Sequence, residues 1–271
     1  MGQRLRGAAV NQTEVASALR GAGCVWAEEE AGLLIESATS DEDLARRTRR
    51  RAGGEPLELV LGWAAFRGLR IGVEPGVFIP RRRTELLAGQ AVRHASRAPA
   101  PVVVELCCGA AAISCAVLHE APGPVELHAA DIDPAAAACA RRNLGGRGQV
   151  HTGDLFTALP ARLRGRVDVL VANVPYVPTA ELEFLPGEAR DFDPAHTLDG
   201  GDDGLTVYRR LIDGAAGWLA PGGQVMCEIS RAQLPAAVGH MITHGLIAET
   251  RHDEEIEARV VIGTRPAPAP R

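Results

Sequence analysis

Apolar and polar positions follow two regimes along the chain. Residues 1–53 read as helical, with an apolar-rich helix expected over residues 27–38 and a charged one over residues 41–51. Residues 55–79 alternate short apolar runs with Gly62, Gly68, Gly72 and Gly76, which predicts a hairpin linking two domains. A linker-like break follows at residues 97–101 (RAPAP). Beyond it strands and helices alternate. VVVEL at 102–106 is a buried strand, and an Ala-rich helix is expected from Ala110 to His119. VELHAA at 125–130 is the second strand. Pro134 then sits where a first helical turn tolerates proline, and that helix runs to about Asn143. Further strands are expected at 149–152, 167–172 and 224–229, and a helix from Leu205 to Leu219 is expected to stop at PGG, residues 221–223. Leu246–Thr250 and Ala258–Ile262 read as a closing antiparallel pair, and residues 266–271 as a frayed tail. Repeated strand–helix units of this kind predict an α/β domain with a mostly parallel sheet.

In such sheets ligands bind beyond the carboxyl ends of the strands, so those ends are where chemistry is expected. The first ends in Glu105-Leu106-Cys107-Cys108-Gly109-Ala110-Ala111, small residues that let a ligand approach the backbone at a helix N-terminus. A single glycine stands there, where dinucleotide sites usually have three. The second strand leads to Asp131, placed to accept both hydroxyls of a ribose, whereas Asp133 reads as the N-cap before Pro134. The third leads to Asp154 and Leu155, which suit an adenine amino group and ring face. The fourth ends at Asn173, held in the proline-stiffened corner VANVPYVP.

Composition changes little in this picture. The net charge of −5 predicts no nucleic-acid footprint across the surface. All 29 basic residues are Arg, which reflects base composition of the gene more than chemistry. The basic run at 46–51 (RRTRRR) reads as a solvated helix end, with contact to RNA or an acidic partner as the other option. No signal peptide or membrane span is expected. The six cysteines include no CxxC pair and read as small buried residues in a reducing cytoplasm. No metal site is expected: the eight histidines show no ligand spacing, and none is assigned to the site. Gly222-Gly223-Gln224 reads as a turn between helix and strand.

Motifs along nearly the whole chain resemble the HemK/PrmC family of class I, S-adenosylmethionine-dependent methyltransferases, which modify glutamine in peptide-chain release factors. They are residues 55–87 (EPLELV through RRRTELL), ADIDP at 130–134, GDLF at 153–156, NVPYVP at 173–178, LPGEARDFDP at 185–194, LDGGDDGLTVYRRL at 198–211 and LAPGG at 219–223. The resemblance implies a Rossmann-like, mostly parallel seven-stranded sheet. It divides the chain into a small helical substrate-binding domain at 1–53, a linking hairpin at 54–79 and a methyltransferase domain at 80–271. It assigns catalysis to Asn173, Val174, Pro175 and Tyr176. S-adenosylmethionine would be held by Thr84, Glu105, Gly109, Asp131, Ile132, Asp154, Leu155 and Asn173, and substrate by Phe78, Pro80 and Tyr176. A monomeric cytoplasmic enzyme with a release factor as partner, and no membrane or nucleic acid, is implied.

Three departures stand out. The family's Asn-Pro-Pro-Tyr is Asn-Val-Pro-Tyr here, Cys107 and Ala111 occupy glycine places, and its Pro-Arg-Pro-Glu/Asp-Thr element reads Pro80-Arg81-Arg82-Arg83-Thr84. A nucleobase amino group or a small-molecule amine or amide are the alternative acceptors. A cofactor-binding protein that has lost catalysis is the alternative of another class.

Overall fold

A computed structural model of the chain describes residues 2–267; Met1 and the last four residues of the expected tail, 268–271, lie outside the described residues. Four helices open the chain: α1 (Gly2–Gly21), α2 (Ala27–Ser37), α3 (Asp41–Ala52) and α4 (Leu57–Leu61). Helix α3 shows why this segment is helical. Ser40 caps its first turn by accepting from the Asp43 N–H at 3.1 Å, acids fill that turn, and Arg49–Arg51 fill the last one. Leu19, Ala31, Leu34, Leu44 and Val60 are buried together, so this helical core runs past residue 53 and takes in α4. The basic run is less solvated than expected. The Arg47 guanidinium donates to the Val60 carbonyl (3.0 Å), Arg50 to Glu55 (2.8 Å) and Arg51 to Glu30 (2.6 Å), and of its arginines only Arg46 and Arg49 are exposed.

The expected hairpin is β1 (Trp63–Phe66) and β2 (Leu69–Gly72), paired antiparallel across an Arg67-Gly68 turn. Next in chain order come α5 (Thr84–Ala95), β3 (Val102–Leu106), α6 (Ala112–Glu120), β4 (Glu126–Asp131), α7 (Pro134–Leu144), β5 (Gln149–Thr152), β6 (Val167–Ala172) and α8 (Gly187–Phe192). The chain closes with α9 (Thr206–Ala215), β7 (Leu219–Glu228), α10 (Leu234–Thr243), β8 (Ile247–Asp253) and β9 (Ala258–Thr264).

Seven strands form one sheet in the order β5-β4-β3-β6-β7-β9-β8; β9 alone runs against its neighbours, so the sheet is mostly parallel as expected. Alternation along the strands feeds two cores. Val103, Val169, Val171 and Met226 face α5, α6 and α7, while Val104, Leu170, Val225 and Cys227 face α9 and α10. Strand order reverses between β3 and β6, and the crevice outside their carboxyl ends is the expected ligand position.

Two local expectations fail. Helix α6 starts at Ala112 because Ala111 has φ 59°, outside the right-handed helical region. Helix α9 stops at Ala215, and PGG lies inside β7, not at a helix end. Leu219 already pairs with Val167, and the register shifts between Val167 and Val169, so Pro221-Gly222-Gly223 forms the irregular stretch of a strand, with Gly222 at φ 81°.

Candidate active site

A cleft of about 260 Å3 opens at the carboxyl ends of the parallel strands. It gathers every residue singled out in the sequence: Phe78, Pro80 and Thr84 from the segment entering α5; Glu105 and Gly109 after β3; Asp131 and Ile132 after β4; Asp154 and Leu155 after β5; and Asn173, Val174, Pro175 and Tyr176 after β6.

The β3–α6 turn is shaped by backbone sterics. Cys107, Gly109 and Ala111 all have positive φ (52°, 51° and 59°), so the two residues standing in glycine places adopt the conformation glycine would. Asp131 holds this turn: its Oδ2 accepts from the Gly109 N–H (2.8 Å) and its Oδ1 from the Asp133 N–H (2.9 Å). Each oxygen keeps a second lone pair for a hydroxyl. Burial raises the Asp131 pKa, against the lowering effect of those two N–H groups. Asp133 caps α7 through the Ala135 N–H (2.8 Å), as expected. Glu105 is buried, and Ser114 donates to it from both its N–H (2.8 Å) and its hydroxyl. Burial outweighs these bonds and pushes Glu105 up to about 7. Burial also pushes the Cys107 thiol up to about 12 and raises Cys108, so neither is a thiolate nucleophile; all six cysteines are unpaired.

Asp154, unlike Glu105 and Asp131, has an arginine partner, Arg210 of α9. Beside it Ile132 is 60% exposed, an apolar face turned to the cleft.

Asn173 is oriented by a relay that begins at a residue the sequence reading passed over. Glu228, 2% exposed at the end of β7, accepts from Thr84 Oγ1 (2.7 Å), Tyr176 Oη (2.9 Å) and Arg83 Nε (2.9 Å). The Thr84 hydroxyl proton is committed to Glu228, so toward Asn173 this oxygen can only accept, and Asn173 Nδ2 donates to it at 3.3 Å. The amide is therefore fixed with Oδ1 on the other side. That Oδ1 is buried without a hydrogen-bond partner, and no other buried side-chain N or O among the described residues shares that condition. Burial, then the Glu228 charge, raises the Tyr176 pKa, so its phenol stays protonated.

The Tyr176 carbonyl accepts from Gln233 Nε2 (2.8 Å), which also donates to the Asp203 carbonyl (2.9 Å). Gly204 packs against it so closely that a Cβ there would lie 2.2 Å from the Tyr176 oxygen. Two further backbone bonds join the corner to the 198–204 loop: the Val177 N–H donates to the Leu198 carbonyl (3.0 Å), and the Val177 carbonyl accepts from the Gly200 N–H (2.8 Å). Opposite, Arg81 forms an ion pair with buried Asp193, tying Phe78–Arg81 to the end of α8.

Arg83, His196 and Arg210 also line the cleft, so a histidine does belong to it. Glu228 could have been found by the strand-end rule that selected Asp131. Gln233, His196 and Arg210 carry no comparable local signal.

No family model matches the chain. The release factor glutamine methyltransferase of Streptomyces coelicolor is 41% identical over 187 residues, 68% of this chain and 66% of that protein. The chain thus spans just under two thirds of that relative's length. The release factor glutamine methyltransferase of Mycolicibacterium smegmatis is 38% identical over 219 residues, covering 79% of this chain and 76% of that protein. A methyltransferase from Pyrococcus furiosus superposes with a TM-score of 0.54 at 17% identity, over 82% of this chain and 99% of that one. That likeness shows the fold, a class I methyltransferase fold. By sequence, the chain belongs to the release factor glutamine methyltransferase family.

Proposed function

We propose that this chain transfers a methyl group from S-adenosylmethionine to the side-chain amide nitrogen of a glutamine in a peptide-chain release factor. The observation that carries the proposal is the unpartnered, fixed Oδ1 of Asn173. An amide nitrogen is a poor nucleophile because its lone pair is delocalised into the carbonyl. It must therefore be held in line with the bond to the departing methyl group. Oδ1 of Asn173 takes one N–H of the glutamine amide and the Val174 carbonyl takes the other. Pro175 keeps Val174 extended, so replacing the family's proline by Val174 preserves that carbonyl. Tyr176, anchored at both its hydroxyl and its carbonyl, walls the amide plane. Positioning of this kind is worth about 7 kcal/mol or more at best.

The residues present fit the cofactor. Asp131 would take the ribose hydroxyls, the Gly109 turn would admit the backbone approach, and Ile132 would cover the adenine face. Asp154 would reach the adenine amino group while balancing Arg210. Thr84 serves the relay to Asn173. When bound, S-adenosylmethionine supplies an electrophilic methyl group on a sulfonium. The helical unit at the N-terminus would contact the partner, with Phe78 and Pro80 beside the glutamine, and the monomer would act in the cytoplasm, where release factors work.

The test measures S-adenosylhomocysteine formation with a release factor carrying its Gly-Gly-Gln loop, and with a variant whose loop glutamine is Ala. Turnover with the first and none with the second supports the proposal. Cofactor binding without transfer to the release factor overturns its substrate.

A further inference from the structure

We propose that Asp213, His240 and His244 form a binding site for a divalent transition-metal cation, with zinc the best fit, clamping α9 to α10 away from the cleft. The sequence reading expected no metal site and passed over one pair: His240 and His244 stand four residues apart at the end of α10. Spacing of four places side chains on one helical face. The third ligand comes from α9, which packs alongside; the buried Tyr208 hydroxyl donates to the Ala237 carbonyl at 2.8 Å and sets the two helices in register.

Both imidazoles converge on one carboxylate oxygen. His240 Nε2 lies 2.7 Å and His244 Nε2 3.1 Å from Asp213 Oδ1, and all three atoms fall within 4.8 Å of one another. A tetrahedral zinc with bonds of about 2.1 Å spaces its ligand atoms about 3.4 Å apart, so the two nitrogen–oxygen separations need to open by less than about 1 Å to admit the ion.

The donor and acceptor pattern points the same way. His244 Nδ1 faces the His240 carbonyl at 2.8 Å, and a carbonyl can only accept, so Nδ1 carries the proton. In the neutral ring Nε2 is then a bare lone pair, aimed at a carboxylate oxygen that is also an acceptor. A positive charge belongs between His244 Nε2 and that oxygen, and either a proton or a metal cation supplies it; the cation is the choice that also takes His240 Nε2 as a ligand. Metal-bound histidines are oriented in this way, their second nitrogen donating to a backbone carbonyl. Two imidazoles and one carboxylate suit zinc, nickel or copper over magnesium or calcium. The side chains are 22%, 35% and 54% exposed for His240, His244 and Asp213, which leaves a water-accessible fourth position.

The clamp would act on the helices that serve the cleft. Arg210, one turn before Asp213, pairs with Asp154, and Gln233, preceding α10, holds the Tyr176 carbonyl. An ion bound only by the folded chain stabilises it by an amount that grows with the logarithm of its concentration over Kd.

The experiment uses the full chain, stripped with chelator and titrated with zinc and then with cobalt. Expected are one equivalent of zinc, a rise in melting temperature that grows with free zinc, and the visible absorption of cobalt bound by nitrogen and oxygen. His240→Ala and His244→Ala should each weaken zinc binding by at least about tenfold. Both should leave the zinc-free melting curve near that of the parent. Three results would overturn the proposal: no zinc uptake, meaning protonated histidines paired with Asp213 only; unchanged uptake in the double histidine variant; or a thiolate charge-transfer band, placing the ion on cysteines.

Discussion

Replacing Asn173 by Ala should move activity and stability in unrelated ways, because the oxygen that carries the function in the proposed mechanism is a liability to the fold. In this fold Oδ1 is buried without a partner, a condition that costs roughly 1–3 kcal/mol. Asn173→Ala removes that cost. It also removes the Nδ2 bond to Thr84, which at 3.3 Å is long and worth about 0.5–1.5 kcal/mol. The two nearly cancel, so the melting temperature should stay within a few degrees of the parent, at about 2–4 °C per kcal/mol for a chain of this size. Turnover should behave otherwise. Loss of one preorganised hydrogen-bonding group from the transition state costs roughly 10²–10³ in rate, about 2.7–4 kcal/mol. The assay is S-adenosylhomocysteine release at saturating cofactor with a release factor as acceptor, read beside a melting curve and a cofactor titration. Cofactor affinity should change far less than rate. Val174→Pro is the control: it keeps the carbonyl and suits the extended corner, and should be tolerated. If Asn173→Ala transfers methyl within about threefold of the parent, the orienting role is wrong. A large fall in melting temperature alongside lost activity would refute the orphan-acceptor argument.

Thr84→Val keeps the shape but breaks the relay, leaving Asn173 free to turn its amide. The rate should fall about tenfold with little change in cofactor affinity, and an unchanged rate would show that Asn173 needs no help from Glu228. Asp131→Ala should weaken cofactor binding by ~1–3 kcal/mol through lost ribose hydrogen bonds, and unchanged affinity by calorimetry would remove Asp131 from the site. Glu105 sets a pH dependence. Its folded pKa of about 7 lies above its ordinary 4.5, so the folded state binds the extra proton between those values. Its contribution is therefore complete below about pH 4.5 and lost as pH rises through about 7, up to about 3 kcal/mol in all. Glu105→Gln, neutral throughout, should flatten that slope in cofactor-free melting curves, and an unaltered slope would assign it elsewhere. Ala111→Gly relieves a left-handed φ at an alanine and should leave the fold at least as stable, whereas clear destabilisation would contradict strain at that turn.

Parts of this molecule were legible because local pattern and tertiary role coincide. Buried parallel strands are continuous apolar runs, so VVVEL and VDVLVA announced β3 and β6, and the strand-end rule then selected Asp131 and Asn173. Legibility fails where a residue's role depends on partners far along the chain. Glu228 ends a strand whose position was read well, yet its role comes from Thr84 and Tyr176, 144 and 52 residues away. PGG carries a strong local stop signal, but pairing of Leu219 with Val167 overrides it and carries the strand through. Arg83 shows the same limit from another side. In sequence it is only a departure from an acidic family position. In the fold its Nε donates to Glu228 at 2.9 Å and its guanidinium lies 5.8 Å above the Tyr176 ring. A buried carboxylate carrying three donors needs positive charge nearby, and Arg83 supplies it. The departure thus reinforces the relay, because Arg83 steadies the Glu228 charge that holds both Tyr176 and, through Thr84, the amide of Asn173.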